Sequence, residues 1–194
     1  MASADGHEMG SMKLLRRTRF GDPVLRLQTR SLTYEEILSP ETQELIQNMR
    51  YTVEKKRYGV GLAAPQVGKS LAISVIGIKA TPTRPNLKPF DATIINPAIV
   101  ETFGKRTGLW EGCISCGVGN DVLYAKALRY KKVRVRWQDE RTRSHEAVFE
   151  GIVAHVLQHE IDHLNGVLFV DRVRDNKTMI TIAEYKKHYL PKAH

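Results

Sequence analysis

Two imidazoles four residues apart, with a carboxylate beside the first, are the groups of this chain best placed to do chemistry: His159-Glu160-Ile161-Asp162-His163. On a helix, positions i and i+4 share one face, so the pair makes a divalent-metal chelate and Glu160 brings a base next to it. Metal-assisted hydrolysis is the chemistry this set suggests. The competing reading is a core helix whose histidines are merely satisfied by hydrogen bonds.

The segment must be helical for the chelate to exist. From Gly151 to Leu164 there is no proline, Glu150 places negative charge at the N-terminal end, and Gly166 follows the last apolar residue, where a left-handed cap belongs. At 100° per residue, Ile152, Val156, His159 and His163 form one stripe. Val153, Leu157, Ile161 and Leu164 form a second, leaving only Gln158, Asp162 and Asn165 as a polar side. A helix apolar over most of its circumference belongs in the interior, where imidazoles and carboxylates need partners or a metal.

Further elements can be read around it. Ser39-Pro40-Glu41 opens a first helix with Leu45, Met49 and Val53 on its inner face. Leu71 to Ile78 reads as a buried strand, Thr81 to Pro89 as a proline-rich loop, and Ile94 to Val100 as a strand interrupted at Pro97. Lys131 to Gln138 alternates, with Val133, Val135 and Trp137 on one side and Arg134 and Arg136 on the other. It forms a hairpin with His145 to Phe149 through the polar stretch from Asp139 to Ser144. Residues Asn176 to His194 are ambiguous between helix and strand. Short strands with isolated helices indicate an α+β fold, its mainly antiparallel sheets packed around a central buried helix that carries the His-Glu-x-x-His motif.

Two histidines need a third ligand, and Glu111-Gly112-Cys113-Ile114-Ser115 offers Cys113. A thiolate with two imidazoles makes a sound site for a soft-to-borderline divalent metal and leaves a position open for water, which means catalysis. Cys116 allows another outcome, a closed and non-catalytic Cys2His2 site. The stretch between the cysteine and histidine pairs is far longer than the roughly 12 to 15 residues of a zinc finger, and Cys116 reads better as a small buried residue on a strand beside the metal.

Together, Gly59-Val60-Gly61-Leu62-Ala63-Ala64-Pro65-Gln66, Glu111-Gly112-Cys113-Ile114-Ser115 and Gln158-His159-Glu160-Ile161-Asp162-His163 closely resemble the peptide deformylase family, in order and in spacing. The resemblance runs from Phe20-Gly21-Asp22-Pro23 to Leu168-Phe169 and Asp171. It implies removal of the formyl group from the N-terminal formylmethionine of nascent chains. It also implies one divalent metal per chain, ferrous iron (Fe2+) by preference, with Zn2+, Ni2+ or Co2+ in many preparations. Carried over, Cys113, His159 and His163 are the ligands, Glu160 is the general acid and base, and the Gln66 amide with the Ile114 backbone N–H receives the charge that develops on the formyl oxygen. Gly59 and Gly61 leave main chain free to pair with an extended peptide. Val60, Ile152, His155 and Val156 surround the methionine side chain. His155, the polar one of these, is expected to cover the pocket rim, to bond a backbone carbonyl, or to alter side-chain preference. This chain departs from the common pattern at Ile114, at Cys116-Gly117-Val118-Gly119 and at Tyr58; none of these removes a catalytic group. A His-Glu-x-x-His peptidase or amidase of other specificity is the alternative among enzymes.

Composition limits the rest. The 194 residues suit a single domain, expected over 13–194, with 1–12 a loose tail. No apolar run is long enough for a bilayer, and Met1 to Met12 lacks the core of a secretory signal. Two cysteines make no disulfide framework, so a reducing compartment is expected: the bacterial cytoplasm, or an organelle if a transit segment has been trimmed. The net charge of +9 is spread without an RNA-binding motif or a row of aromatic residues. Solvated faces account for it, with a diffuse attraction to polyanions such as ribosomal RNA and transient contact with the ribosome as the expected extra.

Overall fold

The computed structural model describes residues 12–56, 60–81 and 85–190. Five strands make one antiparallel sheet in the order β1-β2-β3-β6-β7: β1 (Gly61–Ala63), β2 (Ile73–Ile78), β3 (Phe90–Phe103), β6 (Lys132–Gln138) and β7 (Ser144–Glu150). A second antiparallel sheet pairs β4 (Thr107–Gly112), β5 (Leu123–Arg129) and the short β8 (Ile180–Thr181) in that order. Helices α1 (Tyr34–Leu38), α2 (Pro40–Lys56), α3 (Gly151–Leu164) and α4 (Ile182–Tyr189) complete the chain. The architecture is α+β, and no helix among the described residues is long and apolar enough to cross a membrane.

Helix α3 is the buried centre. Ala154, Leu157 and Ile161 pack with Ile76, Ile94, Val133 and Val135 from the large sheet, which removes most of its apolar stripes from water. Its end is capped as the sequence suggests: Gly166 has φ +69°, its N–H bonds the His163 carbonyl, and the Val167 N–H bonds the Asp162 carbonyl. Of the polar side only Asn165 is exposed, however. Gln158 and Asp162 are both buried, the first exchanging hydrogen bonds with the Tyr130 main chain and the second held by arginines.

Proline 97 does not interrupt its strand. Strand β3 runs on through a register slip between Ile95 and Ala98, where Asn96 takes φ +50° and the N–H that proline lacks is not needed by the ladder. The first helix by sequence is in fact the second, since a Thr33–Glu36 capping box starts α1 immediately before it. Met49 is fully buried in the α2 interface, with Leu45 and Val53 packed beside it.

The hairpin between β6 and β7 turns on Asp139. Its carboxylate accepts from the backbone N–H groups of Arg141 and Arg143, from Arg143 Nε at 2.7 Å and from His145 at 2.9 Å. Burial alone would raise its pKa, but these donors outweigh burial and hold it well below the usual range. A depressed folded-state pKa contributes stability that is present above the unfolded value, near 4, and is lost as pH falls below it. Asp139→Asn is therefore expected to flatten the acid limb of a thermal-stability profile below about pH 4. An unchanged limb would remove Asp139 from the account.

Candidate active site

Strand β4 delivers its chain directly into Cys113, and α3 carries the remaining groups. Ligand atoms of Cys113, His159 and His163 all lie within 4.8 Å of one another. The Cys113 Sγ is 3.2 Å from His163 Nε2. His159 donates from Nδ1 to Glu111 Oε1 at 2.6 Å, which turns its other nitrogen, Nε2, into the available ligand. One sulfur and two imidazole nitrogens converging in a buried place fit a single zinc- or iron-type metal with an open position. Cys116 is no part of this cluster.

The charges are arranged to suit a cation. The Cys113 thiol is held well below its ordinary pKa, first by a hydrogen bond from Cys116 and then by the His163 and His159 imidazoles, against the opposing effect of burial. The Cys116 thiol is pushed up by the same contact and stays protonated. Rather than sitting on a strand, Cys116 occupies a turn in which its N–H bonds the Cys113 carbonyl, and it packs on Ala125, Ala127 and Phe169.

Glu160 is buried at the same end of α3, and among the described residues its Oε2 meets no donor. Burial pushes its pKa up to about 7, although the two imidazoles pull the other way. The space for this carboxylate exists because residue 61 is glycine. A Cβ there would stand 2.3 Å from Glu160 Oε1 and 2.7 Å from its Cδ. Gly61→Ala should leave the fold intact, since only the end of a flexible side chain is struck, yet displace the carboxylate by about 1 Å and cost about a hundredfold in kcat. Steady-state rates and metal content of the variant check this; wild-type kcat would refute it.

Gln66 is placed by a short helical turn from Ala64 to Val67. Its Oε1 accepts from the Ala63 N–H at 2.8 Å, which aims Nε2 at Cys113 Sγ (3.4 Å) and Ser115 Oγ (3.3 Å). Ile114 lines the same cleft, and among the described residues its N–H makes no bond to the protein. The N-terminal segment straps both loops in position: the Thr18 N–H bonds the Gln66 carbonyl, the Phe20 N–H bonds the Ser115 carbonyl, and Arg17 reaches the Ile114 carbonyl.

A cleft of about 1360 Å³ opens beside these groups. Val60, Gly61, Ile152, His155 and Val156 all line it, while Gly59 and Tyr58 lie outside the described residues. Among the described residues His155 bonds no backbone carbonyl. Its Nε2 donates to Glu111 Oε2 at 2.6 Å.

Glu111 has no separate role in the sequence reading, yet it is the hub of the site. Besides His155 and His159 it takes a bidentate pair from Arg129, Nε at 2.8 Å and Nη2 at 2.6 Å, and Arg129 also bonds Asp162, which pairs with Arg172. Burial by itself would raise the Glu111 pKa; Arg129 and the two imidazoles overcome it and keep the carboxyl ionised. Glu111, Arg129 and Asp162 are distant in sequence, so their pairing leaves no local pattern beyond the uncommon presence of charge on buried faces.

Comparison with known proteins places this geometry among relatives. A family model described as polypeptide deformylase matches residues 16–179. A peptide deformylase of Leptospira biflexa is 37% identical over 166 residues, spanning 82% of this chain and 87% of the relative. One from Chlorobium limicola is 42% identical over 156 residues, 80% of this chain and 78% of the relative. Among solved structures, the class I type b peptide deformylase of Acinetobacter baumannii bound to Met-Ala-Ser superimposes with a TM-score of 0.76 at 29% identity, covering 84% of this chain and 99% of that one. The Synechococcus elongatus peptide deformylase in complex with actinonin gives 0.71 at 36%, covering 84% and 81%.

Proposed function

This chain belongs to the polypeptide deformylase family and is a peptide deformylase, and from that premise we propose how its residues divide the work. The observation that carries the assignment is the convergence of Cys113, His159 and His163 within 4.8 Å beside the buried Glu160. Cys113, His159 and His163 hold one divalent ion, ferrous iron in the native enzyme. When bound, such an ion supplies Lewis acidity, which makes water nucleophilic near neutral pH and draws electron density from the formyl oxygen.

The protein groups do the rest. Glu160 accepts a proton from the attacking water and passes it to the departing amine nitrogen, so that formate and a free N-terminus result. Gln66 Nε2 and the Ile114 N–H donate to the oxygen as negative charge grows on it. Glu111 fixes the tautomer and direction of His159, and Arg129 keeps that carboxylate ionised. The free edge of β1 and the free edge of β4 border the cleft together. An extended peptide laid between them satisfies its main chain on both sides and is read chiefly as backbone. The methionine side chain then enters between Ile152 and Val156, with His155 at the side.

Removing the Gln66 amide should lower kcat by about two to three orders of magnitude with KM little changed, because the donor acts on charge present only in the transition state. Gln66→Leu kinetics on formyl-Met-Ala-Ser test it; an effect confined to KM would assign Gln66 to ground-state binding. The broader reading is tested by formate release from formyl-Met-Ala-Ser by the metal-loaded wild-type protein. Failure to release formate from a folded, metalled chain would sink it.

The substrate we propose is the nascent chain, met through transient contact with the ribosome in a bacterial cytoplasm or an organelle. A closed Cys2His2 site is disfavoured by the place of Cys116 outside the ligand cluster.

A further inference from the structure

The cleft does not stop at the metal cluster and the methionine pocket. It continues over the free edge of β4 to the outer face of the small sheet, where α4 lies. Strand register divides the two faces. Trp110 pairs with Lys126 and Gly112 with Tyr124, so these four share the outer face, while Leu109, Glu111, Ala125 and Ala127 share the inner one. The inner face meets α3 and the ligand network. On the outer face three rings hold each other: Tyr185 stacks on Tyr124 with centroids 4.9 Å apart, and Trp110 lies 5.2 Å from Tyr185. The Tyr124 ring covers Gly112 so closely that a Cβ there would be 2.1 Å from it. Trp110, Tyr124 and Tyr185 all line the cleft, and α4 is held in place by β8, whose Ile180 pairs with Tyr124.

An extended peptide on the β4 edge inherits this division. Successive side chains point to opposite faces, so if the first residue's side chain enters the inner pocket by Ile152 and Val156, the second residue's points to the outer face. We propose that Trp110, Tyr124 and Tyr185 form a subsite that selects a large aromatic or branched apolar side chain at the second residue of the formylated peptide; this rests on the deformylase reading. The rings are fixed by contact with one another, so little ordering is lost when a side chain lands on them. Stacking on such a wall favours phenylalanine or leucine over glycine by about tenfold in kcat/KM.

The test compares formyl-Met-X-Ser peptides with X as Gly, Ala, Leu, Phe and Glu, on wild type, Tyr185→Ala, Tyr185→Phe and Tyr189→Ala. Tyr189 packs 4.7 Å from Trp110 and stacks on Tyr185 at 6.1 Å but does not line the cleft, so its removal takes away a supporting ring while the three rings of the wall itself remain. The Phe-to-Gly ratio should be about tenfold in wild type, be retained by Tyr185→Phe and Tyr189→Ala, and fall to near one in Tyr185→Ala. A flat wild-type series, a preference for Glu directed by the neighbouring lysines, a ratio that survives Tyr185→Ala, or an equal loss in Tyr189→Ala would each overturn the subsite while leaving the deformylase reading standing. Absence of turnover on every peptide would instead overturn the reading beneath it.

Discussion

Glu160→Gln is expected to lower kcat for formate release by about three orders of magnitude, with one metal still bound per chain and the melting temperature little changed. Glu160 follows His159 directly on a rigid, buried helix, and its Oε2 has no partner among the described residues. An unpartnered polar atom in such a place costs folding free energy, and its retention makes sense as a group kept free for the reaction. Glutamine has the same shape and fits the space left by Gly61, but it cannot accept a proton from water. The substitution therefore separates proton transfer from packing, and neither ligand set nor fold has reason to fail. Single-turnover rates with metal analysis on the same sample check it. Retention of more than a tenth of wild-type kcat would remove Glu160 from the chemistry.

The second large effect is expected at Glu111. Glu111→Ala leaves the Arg129 guanidinium, almost wholly buried and bidentate in the native state, with Asp162 alone as an anionic partner among the described residues. Breaking a buried pair of this kind typically costs about 3–5 kcal/mol. For a chain of this size that corresponds to a drop in Tm of about 10 °C. His159 loses its orienting partner at the same time, so metal affinity should fall about ten- to a hundredfold. Melting in the presence and absence of a chelator distinguishes the two contributions. Because the ion-pair cost does not involve the metal, most of the Tm loss should persist in chelator. A variant that melts like wild type once metal is removed would show that Glu111 serves the metal alone.

The two predictions also mark where the sequence was and was not legible. Helix α3, its glycine cap and the Cys113 loop carry strong local signals: a 3.6-residue period, a C-terminal glycine, and cysteine and histidine at chelating spacing. Glu111 stands in the same stretch as Cys113, yet its partners are Arg129, His155 and His159, and no periodicity announces a contact of that kind. Strands β4 and β5 escaped notice for a related reason. Thr107-Gly108-Leu109-Trp110-Glu111-Gly112 lacks β-branched residues after the first, and a buried carboxylate breaks the alternation. At Pro97 the local rule was sound but incomplete, since a proline ends a strand only where the ladder needs its N–H. The strap of Thr18 and Phe20 across both site loops is tertiary hydrogen bonding with no local signature. The ambiguous C-terminal stretch resolves into β8 and α4, held on β5 and Trp110 by contacts between distant residues.

The most direct test of the account is formate release from formyl-Met-Ala-Ser by metal-free protein titrated anaerobically with ferrous iron. Activity should rise in proportion to added iron and saturate at one equivalent per chain, and Cys113→Ala or His163→Ala protein should stay inactive across the same range. Activity that survives complete metal removal, or that is absent at one bound equivalent in a folded chain, would contradict the assignment of Cys113, His159, His163 and Glu160 as the centre of the enzyme.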